Sequence, residues 1–174
     1  AAGSVDSWTA RMNAKARALG MNQSHFATPN GWPDEGATFT TARDLVTLAS
    51  ALLRVHPRKV ARYTGKRQFT YAGITQSNYD PMLGRVEGAD GIKTGYTNQA
   101  GFTYLGAAKR DGQRLILVIA GAETQGDRGR LARGLIEWGF SAFERVKIFD
   151  KGASVGVAKV QDGSSRSLEL VTDR

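Results

Sequence analysis

The chain has 174 residues, 41% of them apolar and 23% charged, which suits one ordinary domain plus the start of another and excludes two complete large ones. It has no cysteine, so disulfides, thiolate metal sites and cysteine nucleophiles are excluded. A net charge of +8, from 24 Lys and Arg against 16 Asp and Glu, permits anionic partners without selecting one; the basic residues form no block and carry no aromatic-basic nucleic-acid motif, which favours a solvated basic surface.

The first residues, Ala1 to Asp6, lack the basic and apolar regions of a signal peptide and fit a mature form or an internal piece. Ser4 is placed to cap a helix whose apolar positions Val5, Trp8, Met12 and Leu19 fall mostly on one face and which ends at Gly20. Residues 21–39, with Pro29, Asn30-Gly31, Pro33 and Gly36, read as loop. Thr41 with Asp44 resembles a capping box, and Leu45, Leu48, Ala49, Leu52 and Leu53 keep helical spacing until Pro57 stops it.

Gln68-Phe69-Thr70-Tyr71 alternates as a short strand, followed by a polar loop. Residues 102–108 and 114–120 are β-rich runs around Arg110-Asp111-Gly112, a hairpin by its turn chemistry. Asp127 is the expected cap of a last helix whose stripe is Leu131, Leu135, Trp138 and Ala142. From Phe149 onward, short alternating stretches broken by Gly152, Gly156 and Asp162-Gly163 suggest a separate β-rich element, so the boundary is expected near residues 147–150. The apolar run from Leu115 to Ala122 is too short to span a bilayer.

The segment with the most chemistry is Asp90-Gly91-Ile92-Lys93-Thr94-Gly95-Tyr96-Thr97, followed by Ala100-Gly101-Phe102. A Lys-Thr-Gly tripeptide alone is a common exposed turn. Here it precedes a hairpin, with glycines on both sides that let a backbone or ligand come close. Lys93 supplies a fixed positive charge, and the hydroxyls of Thr94 and Thr97 can donate to a carboxylate. Two other patterns lack their context. Gly152-Ala153-Ser154-Val155-Gly156 has the spacing of a nucleophile elbow, but a strand-like stretch follows it and both histidines, His25 and His56, lie upstream. Those histidines also lack metal-ligand spacing.

Asp-Gly-Ile-Lys-Thr-Gly-x-Thr-x-x-Ala-Gly before a hairpin resembles the third motif of the low-molecular-mass penicillin-binding proteins, the serine-type D-alanyl-D-alanine carboxypeptidases. Leu19-Gly20-Met21, His25-Phe26, Asn30-Gly31, Thr41-Ala42-Arg43-Asp44, Phe69-Thr70-Tyr71 and Trp138-Gly139-Phe140 fall in the order and spacing of that family. The resemblance covers residues 1–147. It implies an α/β serine β-lactamase/transpeptidase-like domain, an antiparallel sheet with packed helices, present in part, with residues 148–174 beginning a β-rich domain.

By the same resemblance, Lys93 and the backbone amide of Tyr96 have catalytic roles, the amide completing the oxyanion hole. Lys93, Thr94, Gly95, Thr97 and Arg128 would bind the substrate, with Thr97 and Arg128 on its terminal carboxylate. A guanidinium near a helix start suits that anion; on its own, Arg128 reads as a surface residue near Asp127 and Arg130. The implied substrate is the peptidoglycan stem peptide, the implied inhibitors are β-lactams, no metal or organic cofactor is needed, and the location is periplasmic or otherwise extracytoplasmic, with membrane anchoring of the full-length protein.

The chain departs from the family pattern in two ways. Tyr96 stands where members often have histidine, which leaves the backbone role intact. The Ser-x-x-Lys motif of the nucleophile and the Ser-x-Asn motif occur nowhere in the chain, so this half of the site is expected upstream of Ala1 as the chain's physical partner. A non-catalytic peptidoglycan-binding piece and an endopeptidase of the same family are the alternatives.

Overall fold

The computed structural model describes residues 3–144 and 146–173, so the outer limits of the two expected domains, residues 1 and 174, lie outside it. The chain divides into two compact units, Ala1–Ser141 and Ala142–Arg174. The division comes a few residues ahead of the boundary that composition suggests.

In the first unit, helix α1 (Val5–Ala18) starts at Ser4, whose hydroxyl accepts from the Ser7 amide at 3.1 Å. The loop after it is pinned by Asn13, which exchanges two 2.8 Å hydrogen bonds with the Phe26 backbone. Helix α2 (Ala42–Val55) is capped by Thr41, which accepts from the Asp44 amide at 3.2 Å. Asp44 does not complete a reciprocal box. Its buried carboxylate accepts from the Gln23 amide at 2.9 Å and the Ser24 hydroxyl at 2.7 Å, tying the loop to the helix. Pro57 ends α2 as expected, but it also opens α3 (Pro57–Tyr63), because a proline in the first turn has no amide to leave unsatisfied.

The expected polar loop after β1 (Gln68–Tyr71) contains its partner β2 (Ile74–Ser77), paired from Gln68↔Ser77 to Tyr71↔Ile74. Ala72 and Gly73 both take positive φ, 48° and 79°, which closes a two-residue hairpin. A three-stranded antiparallel sheet follows: β3 (Ala89–Thr97), β4 (Gly101–Arg110) and β5 (Gln113–Ala122), with β4 central. The β4–β5 turn uses Asp111 and Gly112 at φ 45° and 78°, the turn read from the sequence.

Helix α4 (Gln125–Ala142) covers one face of this sheet. Two expectations for it are corrected. Its cap is Thr124, which accepts from the Asp127 amide at 3.0 Å and donates to the Asp127 carboxylate at 2.7 Å, so Asp127 lies in the first turn. The buried face is Arg128, Gly129, Ala132, Ile136 and Gly139, whereas Leu131, Leu135 and Trp138 are 46%, 44% and 55% exposed. Gly139 lies on this inner face, where an added Cβ would come within 2.9 Å of Leu115. The small residues, not the apolar stripe, let the helix approach the sheet. The core gathers Met82, Val86, Tyr104, Leu117, Ala132 and Ile136.

The second unit holds one antiparallel pair, β6 (Ser154–Lys159) and β7 (Ser167–Val171). Ser154 is the first residue of β6, with no helix after it, so the elbow-like spacing is not a nucleophile elbow. Thr172 closes the pair by accepting from the Ala153 amide at 3.1 Å and donating to the Asp150 carbonyl at 2.6 Å. No helix among the described residues is long and apolar enough to cross a membrane.

Candidate active site

Lys93, Thr94, Gly95, Tyr96 and Thr97 end β3, which among the described residues pairs only with β4 and is an edge of its sheet. An edge strand turns alternate N–H and C=O groups away from its neighbour, where an extended peptide can meet them. The register places Lys93 opposite Leu105, Thr94 opposite Tyr104, Gly95 opposite Thr103, Tyr96 opposite Phe102 and Thr97 opposite Gly101. The strand's entry is fixed by the two-pronged ion pair of Arg114 with Asp90, at 3.0 and 2.8 Å.

Gly95 is required by the approach of β4. A Cβ built on it would lie 2.6 Å from the Thr103 hydroxyl oxygen, closer than real Cβ contacts come. Lys93 is exposed, and its ammonium donates to the Thr94 carbonyl of its own strand. Thr97 accepts from the Ala100 amide at 2.9 Å and so shapes the turn into β4. Tyr96 stacks on Phe102 with ring centroids 4.4 Å apart, and its hydroxyl donates to the Asn98 side-chain Oδ1 at 2.9 Å. Its side chain therefore has a local structural role, while the backbone amide stays part of the edge strand.

Strand alternation puts Lys93, Gly95 and Thr97 on one face and Thr94 and Tyr96 on the other. The second face, shared with Phe102 and Tyr104, is the one that α4 covers. Arg128 is on α4 and approaches the sheet from that side, with its guanidinium 5.7 Å from the ring centroid of Phe102 on β4. Only 4% of Arg128 is exposed, so it is not the surface residue that its charged neighbours suggested. One Nη donates to the Tyr79 carbonyl at 3.2 Å, and Nε–H is buried with no acceptor among the described residues. Burial pulls Arg128 below the ordinary guanidinium value, and the nearby charge of Asp80 opposes that shift. Thr97 and Arg128 share no hydrogen bond among the described residues.

Arg128 lines a cavity of about 390 Å³ together with Tyr79, Pro81, Arg85, Gly129 and Arg133. A larger cavity of about 710 Å³ lies against α1, lined by Trp8, Met12, Leu19, Phe26 and Leu48, and holds none of the motif residues. Its size reflects apolar packing and not the chemistry of β3.

Two residues of this region were not singled out from the sequence. Asp80 is buried; its Oδ1 accepts from the amides of Met82 and Leu83 at 2.8 and 2.9 Å. The Tyr104 hydroxyl donates to the same carboxylate, at 2.9 Å from Oδ1 and 2.8 Å from Oδ2. Burial first, then the Asp80 charge, pushes the Tyr104 phenol far above its ordinary value, so it stays a neutral donor. Asn78 followed by Asp80-Pro81 was a legible turn signal, but nothing in it announced a buried carboxylate.

Several known proteins share this architecture. The chain is 34% identical over 175 residues to the D-alanyl-D-alanine carboxypeptidase DacA of Escherichia coli, covering 100% of this chain and 43% of that relative. Penicillin binding protein 5 from Haemophilus influenzae superposes with a TM-score of 0.85 at 29% identity, covering 98% of this chain and 49% of that one. A Listeria monocytogenes penicillin-binding protein solved with cefotaxime bound gives a TM-score of 0.71 at 34% identity, over 76% of this chain and 55% of its own. The chain thus spans less than half the length of the DacA relative it matches. The profile described as D-alanyl-D-alanine carboxypeptidase matches residues 1–124, and with the edge strand that carries Lys93-Thr94-Gly95 this shows that the chain belongs to the D-alanyl-D-alanine carboxypeptidase family.

Proposed function

We propose that the protein containing this chain is a serine-type D-alanyl-D-alanine carboxypeptidase that removes the terminal D-alanine from peptidoglycan stem peptides. The observation that carries this reading is the Lys93-Thr94-Gly95 segment on an open sheet edge, in a chain of this family. The nucleophilic serine belongs to the half that carries Ser-x-x-Lys and Ser-x-Asn. It attacks the penultimate D-alanine carbonyl, the terminal D-alanine leaves with a proton, and water then cleaves the acyl-enzyme.

This chain's residues hold the peptide for that reaction. The substrate lies along β3, and the Tyr96 amide donates to the oxygen that becomes negative in the tetrahedral intermediate, a contribution of about 3 kcal/mol for a preorganised donor. Lys93 adds positive charge at the same edge. Arg128 and Thr94, on the same side of the strand, receive the terminal carboxylate, Thr97 shapes the strand's end from the other face, and Gly95 keeps the strand low enough for the peptide to approach. The Arg128 guanidinium makes one hydrogen bond among the described residues, which supports this role, because its other donors can serve a carboxylate. Binding of β-lactams, an extracytoplasmic location and a domain division at residues 147–148 in the longer protein belong to the same proposal.

The test is an intact mass spectrum of the purified, denatured protein before and after incubation with a penicillin. A polypeptide carrying the serine half is expected to gain the mass of the drug, and Arg128→Ala is expected to slow that gain. If the only polypeptide is an unmodified chain of 18.8 kDa, the acyl-transfer reading gives way to a peptide-binding piece.

A further inference from the structure

Arg128 is buried, yet the hydrogen bonds of its own guanidinium do little to fix it. Among the described residues it makes one hydrogen bond, at 3.2 Å, to the Tyr79 carbonyl, and its Nε–H has no acceptor. No carboxylate lies within ion-pair distance of it among the described residues. A desolvated cation in this state needs a fixed opposite charge nearby. Asp80 directly follows Tyr79, whose carbonyl Arg128 contacts, and so supplies that charge; Asp80 is itself held rigidly. Two backbone amides and the Tyr104 hydroxyl donate to it, so its carboxylate cannot rotate without breaking one of them.

Tyr104 joins this charge to the motif strand. It sits on β4 opposite Thr94, and its hydroxyl oxygen is 3.3 Å from the Gly91 carbonyl, two residues before Lys93. Tyr104 is only 1% exposed. Its ring occupies the space above Gly106, where an added Cβ would lie 2.3 Å from a ring carbon. One buried hydroxyl thus touches both the counter-charge of Arg128 and the backbone of β3.

We propose that Asp80 and Tyr104 are a positioning pair that holds the Arg128 guanidinium in register with the Lys93-Thr94-Gly95 strand, and thereby sets the preference for substrates with a free C-terminal carboxylate. This rests on the carboxylate role given to Arg128 above. Neither residue touches substrate. Asp80 fixes where the cation can sit, and Tyr104 fixes Asp80 against β3. Removing either lets the guanidinium shift into the cavity it lines, which weakens its hold on a carboxylate more than it harms acyl transfer.

The experiment uses the enzyme that carries this chain together with its serine half, with Tyr104→Phe, Asp80→Asn and Arg128→Ala as variants. For each, kcat and KM are measured on a peptide ending in D-alanyl-D-alanine and on the same peptide with a C-terminal amide, alongside the melting temperature. Tyr104→Phe and Asp80→Asn are each expected to lower the acid-to-amide ratio of kcat/KM about tenfold, about 1.4 kcal/mol, mainly through KM. A purely structural role would lower both substrates equally, and an unchanged ratio in folded variants overturns the pairing. If both variants fail to fold, the pair serves the core alone and the inference also falls. If Arg128→Ala itself leaves the ratio unchanged, the carboxylate role of Arg128 is what fails.

Discussion

At Gly95 the constraint is one of distance. The neighbouring strand brings the Thr103 hydroxyl oxygen to 2.6 Å from where a Cβ would stand. Gly95→Ala must either force Thr103 to another rotamer or push β3 outward by several tenths of an ångström, and the outward shift displaces the Tyr96 amide. Acylation by a penicillin is expected to slow at least about tenfold, since a preorganised donor is worth about 3 kcal/mol and is sensitive to position. Double substitution with Thr103→Ala removes the clash and is expected to restore most of the rate; stopped-flow acylation of both variants measures this. The motif residues themselves were legible because their chemistry is local to five consecutive positions. Asp80 and Tyr104 were not, because a buried carboxylate and a buried phenol separated by 24 residues meet only through the sheet.

For the elements, the lesson lies in α4. Its apolar stripe, Leu131, Leu135 and Trp138, suggested the inner face, but the helix packs through Ala132, Ile136 and Gly139, whose small or slim side chains permit close contact with β5. Ile136→Ala is therefore expected to cost about 2–4 kcal/mol by leaving a cavity, while Leu135→Ala costs under about 1 kcal/mol. Chemical denaturation of this chain measures both, and equal costs would mean that the assigned face is wrong. The same helix is tied to β4 by Arg110, which grips Glu137 with two hydrogen bonds of 2.7 and 2.6 Å. The Arg110 hydrogen bond, ahead of its charge, holds the Glu137 carboxyl below its ordinary value of 4.5. A depressed carboxyl adds stability above its unfolded value and loses it as pH falls through the folded one. Glu137 is half exposed and the pair is screened, so its worth is at most about 1 kcal/mol. The melting-temperature gap between wild type and Glu137→Gln should be present near about pH 6 and shrink as pH falls below the ordinary carboxyl range.

For the whole molecule, the two compact units differ in what holds them. The first, Ala1–Ser141, has a sheet with a buried cluster beneath α4. The second, Ala142–Arg174, has one strand pair whose side chains are almost all exposed. A lone two-stranded hairpin is marginal in water. Brief trypsin treatment is expected to cut first at Lys147 or Lys151 and leave the preceding unit intact, as read by mass spectrometry. A first cut within residues 89–122 would contradict this ordering.

The sequence by itself determined what depends on neighbouring residues: the Ser4 and Thr41 caps, the Asp111-Gly112 turn, and the Lys93-to-Thr97 motif with the family it signals. These follow from backbone dihedrals, first-turn hydrogen bonds and short-range spacing. Only the tertiary structure decided which face of α4 is buried, that Thr124 and not Asp127 caps it, that Ile74–Ser77 pairs with β1, and that Arg128 is an interior cation set against Asp80. Each of those depends on how closely two distant segments can approach, and close packing and burial are properties of the assembled sheet and helix, not of any one stretch of chain.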